Sequence, residues 1–305
     1  MKKALFSMVC ALFTIVSANA QLLYKISGKG LDKPSYIVGT HHRAPASFVE
    51  SIPGANRILV SVDQVCGEVD MNEINSTENM QKMMEAMMLP EGQSLSDILT
   101  TEEMDKLNAY LRKIVGVDLT NPMLAEQMGK MTPMSLGTTL ELMTYMKETP
   151  GFNPAALIDE YFQKEAIKKG KPIIGLETID FQIQILYKSS TLDRQKEALF
   201  CLIDNDETYS ELQKELTNAY FSQDLEGLQT VMEQGYSMDC GNEEETEKET
   251  ELVLYGRNED WINKMPAIMS EKSTLFVVGA GHLPGERGVL KLLKDNGYKV
   301  KAVKK

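Results

Sequence analysis

Thr274-Leu-Phe-Val-Val-Gly279-Ala-Gly281-His282-Leu-Pro284-Gly285 is the stretch on which the fold turns. Leu275 to Val278 is a run of β-preferring apolar residues, long enough for a buried strand and too short for an ordinary helix. Gly-Ala-Gly follows, where the backbone can turn sharply, and a histidine comes next. The pattern places an imidazole at the C-terminal lip of a buried strand. Ser35-Tyr-Ile-Val38, followed by Gly39-Thr40-His41-His42, repeats that grammar near the other end of the chain. Both read Gly-x-x-His after an apolar strand. The chain has 3 histidines, and all of them lie in these two motifs.

The segments between the motifs supply the rest of an α/β domain. Leu22 to Ser27 reads as a first strand and Gly28-Lys-Gly30 as a turn. Residues 53–62, opening on Pro53, have helical spacing, and Gln64 to Val69 reads as the next strand. That is a βαβ unit, which implies parallel pairing and a right-handed crossover. Ile173 to Glu177 is a further buried strand with an acid at its exit. Gly288 to Lys294 reads as a helix, and Gly297 to Val303 turns into a final strand. The expected fold is a mainly parallel sheet with flanking helices.

From about residue 71 to 169 the pattern is helical, with segments expected at 100–115, 121–147 and 154–169 and breaks at Gly116, Pro122 and Pro150-Gly151. Met80, Met83, Met84, Met87 and Met88 fall on one helical face, a stripe of the kind that fills irregular cores. Such a stripe also suits soft metals or apolar partners. No Ser/Gly-rich linker flanks this region, so it is expected as an insertion covering the sheet of a single domain spanning 21–305. A second helical block runs from about 178 to 234. Gly241 to Glu251 is strongly acidic and reads as a solvated loop entering a helix over 252–268.

With 305 residues and a formal charge of −12, the chain suits neither nucleic acid nor an anionic membrane as a partner. Residues 1–20 have the form of an export signal: Lys2 and Lys3, an apolar run, then Ala18-Asn-Ala20. No other stretch is long and apolar enough to span a bilayer. A periplasmic or secreted location is therefore expected. There Cys201 and Cys240 are candidates for a disulfide, with Cys66 left as a buried thiol.

In an open parallel sheet, ligands bind beyond the carboxyl ends of the strands. Four side chains are delivered there: His42, Glu68, Glu177 and His282. Two imidazoles with one or two carboxylates suit a divalent first-row metal, which polarises a carbonyl and acidifies a bound water. The glutamate that is not a ligand is then the general base. Against this, Glu177 equally suits a helix cap, Glu68 a solvated loop, and Arg257-Asn258 plain surface. In an acidic pocket, Arg257 instead suits a substrate carboxylate or an oxyanion. Strand alternation turns His41 away from its neighbour.

At these residues the chain resembles the TraB/GumN family, whose animal relatives are the Tiki proteases. Gly39-Thr-His-His42 and Gly279-Ala-Gly-His282 carry the likeness, with Gly67-Glu68-Val-Asp70, Gly175-Leu-Glu177-Thr178, Arg257-Asn258 and the closing Gly288-Val-Leu and Gly297-Tyr298. One departure is His41, where relatives usually carry an apolar residue. The resemblance implies a fold related to the erythromycin esterases and the haem-binding ChaN proteins. It also implies metal-dependent peptidase activity, with manganese or cobalt favoured and zinc admissible. His42 and His282 would be the motif histidines, Glu68 and Glu177 the associated acids, and Arg257 and Asn258 further polar members. The expectation is an exported metallohydrolase acting on peptide or protein. Its rivals are a protein that captures haem, a metal or a short peptide without turning it over, and one that interacts through its methionine-rich helices.

Overall fold

The computed structural model describes residues 21–236, 240 and 243–304; the expected export signal, 1–20, lies outside the described residues. Its sheet has six strands: β1 (Leu23–Ser27), β2 (Ser35–Thr40), β3 (Gln64–Gly67), β4 (Ile173–Gly175), β5 (Thr274–Gly279) and β6 (Lys299–Ala302). They lie in the order β4-β3-β5-β2-β1-β6. β5 runs parallel to β2 and β3, and β3 runs parallel to β4. Only β1 opposes its neighbours, β2 and β6. The α/β class with a mostly parallel sheet is as the sequence implied.

β5 takes the centre because it is apolar on both faces: Leu275, Phe276, Val277 and Val278 are all buried. β6 reads Lys-Val-Lys-Ala and sits at an edge, where alternating exposed lysines discourage further pairing. The expected βαβ unit is corrected in one respect. β2 and β3 are parallel, but β5 lies between them. Local connection favoured adjacency, whereas the strand with two dry faces claimed two partners.

Thr40 aligns with Gly279, and Gly67 aligns with both Val277 and Gly175. The carboxyl ends of β2, β3, β4 and β5 therefore meet at one edge. Glycine is needed there for close approach. A Cβ on Gly67 would lie 2.1 Å from the Gln163 amide nitrogen, and one on Gly39 would lie 2.8 Å from Leu283.

The helix Ile158–Lys168 packs on the sheet, burying Ile158, Phe162 and Ala166 among Val65, Cys66 and Phe276. The remainder of the insertion does not cover the sheet in this way. Leu95, Leu107, Leu111, Leu136 and Leu140 form a second core with Leu199 and Ile203 of the helix Leu192–Asp204. The single helix expected over 121–147 is two, Pro122–Met128 and Pro133–Glu148. Each has proline in its first turn and a capping side chain, Asn121 or Thr132, before it. The methionine stripe is only partly internal. Met83 packs near Ile179 and Ile183, while Met80 and Met84 are exposed, because the helix Thr77–Ala86 buries one narrow face.

Cys201 and Cys240 are disulfide-bonded, with a Cα separation of 5.4 Å, and Cys66 is a buried thiol whose pKa burial pushes up. The acidic stretch is helical over Glu243–Thr250 rather than a loop. Its Glu249 is held by the buried Arg194, which also donates to the Cys240 carbonyl at 2.7 Å. A π-helical turn, Glu251–Tyr255, then runs into the helix Gly256–Glu271. Such wide turns re-phase a helix face and recur at functional sites.

Candidate active site

That re-phased helix delivers Arg257 to the strand ends. Its guanidinium grips Glu177 with two parallel bonds, Nε to Oε1 at 2.8 Å and Nη2 to Oε2 at 2.9 Å. Nη2 also donates to Glu68 at 2.5 Å, and Nη1 donates to the Val253 carbonyl at 3.1 Å. Glu177 accepts further from Trp261 Nε1 at 2.7 Å and from Gln182 at 3.1 Å. Glu68 accepts from the Gly279 amide at 2.8 Å. Burial pushes the Glu68 carboxyl up, but His282, Arg257, the Gly279 amide and His42 together hold it below its ordinary value. Glu177 is not the helix cap it resembled in sequence; Thr178 caps the helix Ile179–Tyr187.

His282 lies beneath this network, its ring 4.4 Å from that of Trp261. Nε2 is 3.2 Å from Arg257 Nη1, and Nδ1 is 2.7 Å from Asn258 Oδ1. A guanidinium can only donate, so Nε2 must accept and Nδ1 must carry the hydrogen. Asn258 is oriented for this by its own amide, which donates to the Arg287 carbonyl at 2.9 Å. The ring is thereby fixed as one neutral tautomer. Burial, then the positive charges of Arg257 and His42, bring its pKa down to about 4 against the pull of Glu68.

His42 is treated in the opposite way. Nδ1 sits 3.3 Å from Asp159, and the side chain is 83 % exposed at the crevice lip. Asp159 is itself oriented by the Thr40 hydroxyl at 2.5 Å. The hydrogen bond and charge of Asp159 raise His42 to about 9. Among the described residues no partner takes Nε2 of His42, and Asp159 Oδ2 is buried without a hydrogen bond. His41 points elsewhere, as strand alternation required. Its Nε2 is 3.4 Å from Thr217 and its ring packs on Tyr220, and burial lowers it to about 4.

Glu68, Glu177, Arg257, Asn258 and His282 therefore form one hydrogen-bonded network. His42 faces it across a cavity of about 170 Å³ lined also by Thr40, Glu68, Asp159 and Gln182. The sequence reading missed Asp159, Gln182 and Trp261. Asp159 opens a helix, where an acid normally signals nothing beyond the helix dipole.

The ligand set expected for a divalent ion does not stand assembled. Nε2 of His282 already accepts from Arg257, and both oxygens of Glu177 are taken. Among the described residues no three His, Cys, Asp or Glu side chains are grouped to hold a metal.

Fold and site together define an α/β protein with a polar crevice at its strand ends, bracketed by two Gly-x-x-His motifs. Residues 22–302 match the TraB/PrgY/gumN family. The chain belongs to that family. Neither the curated proteins nor the solved structures compared with it contain a match.

Proposed function

We propose that the chain is an exported hydrolase, a peptidase by family resemblance, working in the crevice between His42 and the Arg257 network. The observation that carries this reading is the His42–Asp159 pair. A carboxylate on Nδ1 orients the ring and leaves Nε2 open beside an ionised glutamate, an arrangement suited to proton transfer. An incoming water gives its proton to Glu68 as its oxygen attacks a carbonyl carbon. Protonated His42 then delivers its proton to the leaving amine nitrogen. Arg257 holds Glu68 ionised and in place and shares its charge with Glu177. His282 and Asn258 position Arg257 in turn. Every proton in this sequence moves on the chain's own residues.

The disulfide supports an oxidising compartment, and among the described residues no helix is long and apolar enough to cross a membrane. The capture reading draws less support. The crevice cavity, about 170 Å³, is smaller than the roughly 300–1,000 Å³ of pockets that enclose a drug-sized ligand.

Digestion of a peptide library by the purified protein, with and without added manganese or cobalt, tests the proposal. Cleavage that His42→Ala abolishes is the expected result. No cleavage under either condition, with a Soret shift on adding haem, would instead favour capture.

A further inference from the structure

A larger cavity, about 360 Å³, lies on the other side of the first motif, between the helices Pro133–Glu148 and Asp206–Phe221. It reaches the size at which small ligands are enclosed. The turn that gives Thr40 and His42 to the crevice gives Arg43 to this cavity. Its walls touch the motif directly: the Tyr145 hydroxyl donates to the Arg43 carbonyl at 3.4 Å, and Thr217 meets His41.

The chemistry of the lining is specific. Tyr110, Tyr145, Tyr209 and Phe221 supply aromatic wall. Of the charged groups, Lys214 pairs with Glu148, and Lys113 from outside the lining pairs with Asp206. Arg43 directs its shortest bond, 2.7 Å, to Gln213, stacks on Tyr145, and reaches Glu141 through one long contact of 3.4 Å. Glu141, its side chain 35 % exposed, has that one ion pair among the described residues, and burial raises its pKa against the charge of Arg43. A carboxylate short of donors, beside aromatic faces, is the complement of an organic cation.

We infer that this cavity binds the basic side chain, arginine or lysine, of a peptide, with Glu141 as its counter-charge and the tyrosines as its walls. The inference rests on the peptidase reading for its purpose, since a side chain seated there presses on the turn that carries His42. It does not rest on that reading for the binding itself.

Calorimetry with Nα-acetyl-arginine amide, Nα-acetyl-norleucine amide and Nα-acetyl-glutamate amide tests it on the intact mature protein. The arginine compound should bind at least 10-fold more tightly than the other two. Glu141→Gln should erase that preference while the thermal melting profile stays cooperative. Equal binding of the three compounds, tighter binding of the glutamate compound, or no binding overturns the proposal, whatever peptides the protein cleaves. Should Glu141→Gln fail to fold, the comparison of the three compounds on the parent protein still decides. Arginine-selective binding without cleavage of any peptide leaves the cavity standing and removes the peptidase reading instead.

Discussion

Arg257 donates from Nη1 to Nε2 of His282 across 3.2 Å. The histidine of the second motif is thereby an acceptor serving a buried cation. That cation in turn keeps two carboxylates from different strand ends, Glu68 and Glu177, side by side. The motif works as a chain of positioning contacts that starts at Asn258 and ends at Glu68.

Removing the guanidinium is therefore expected to destabilise the fold. Glu177 has a fully buried side chain, and among the described residues Arg257 is its only charged partner. Breaking such a pair from one side typically costs about 3–5 kcal/mol. Arg257→Met should fall in that range by urea unfolding. A loss under about 1 kcal/mol would show that the network is not holding the strand ends.

The two motif histidines give opposite dependences of stability on pH. His282 is depressed to about 4, so the unfolded chain binds its proton first as pH falls. Stability from this group is present above its ordinary value near 6.5 and is lost between there and 4. The loss is on the order of 3 kcal/mol for this buried ring. His42 is raised to about 9, so its contribution is complete below about 6.5 and disappears as pH climbs through 9. Denaturation midpoints should peak near neutrality. His282→Gln should make the acid limb shallower, with His41 and Glu68 still contributing to it, and His42→Ala should flatten the alkaline one. A single limb unaffected by its own substitution would refute the assignment of that ring.

Much of this was readable in advance because it depends on short-range rules. An apolar run ending in glycine reads as a strand exit, and Gly39, Gly67, Gly175 and Gly279 mark four of them. What the sequence withheld was long-range. Nothing local places β5 between β2 and β3, and nothing marks Asp159 as the partner of His42, or of Thr40 across 119 positions of chain. The arginine was legible as a pocket member, but its preference for Glu177 over a substrate depends on Trp261 and Gln182 completing the same carboxylate. The methionines of 80–88 divide between core and solvent for a related reason. Periodicity defines a face, yet only packing decides whether that face finds a cover.

Proton delivery by His42 predicts an alkaline limit to activity. The value of kcat/KM should fall as pH passes about 9, where His42 loses its proton. Asp159→Asn removes the charge that raises the ring, so the limit should move down towards about 6.5. His42→Ala should cost roughly 10²–10⁴-fold at neutral pH. A pH profile unchanged in Asp159→Asn would separate Asp159 from the chemistry.

Divalent metal provides a test of the opposite kind. With Nε2 of His282 already accepting from Arg257, any manganese or cobalt affinity the protein has should survive His282→Ala within a few-fold. Second-sphere losses run to about 10–100-fold and loss of a ligand to more. Equilibrium dialysis against each ion measures this. Abolition of binding by His282→Ala would mean that Arg257 gives up the ring when an ion enters, and would restore the two-histidine site expected from the sequence.

The disulfide stands far from the crevice in sequence but on the path that leads to Arg257. Cys201–Cys240 closes a loop with a separation of 39 residues, for which loop-closure entropy gives about 4 kcal/mol. It also fixes the Cys240 carbonyl on Arg194, the residue that anchors Glu249 just before the π-helical turn Glu251–Tyr255. Reduction, or Cys201→Ser with Cys240→Ser, should lower stability by about 2–4 kcal/mol in denaturant unfolding. It should also depress both peptidase activity and binding in the cavity beside Arg43. The turn that aims Arg257 depends on that anchor, and the cavity wall meets the bridge directly, since the Tyr209 hydroxyl lies 3.7 Å from Cys240 Sγ and Leu202, next to Cys201, lines the cavity. Peptidase activity unchanged by loss of the bridge would show that it has no particular hold on the helix that carries Arg257.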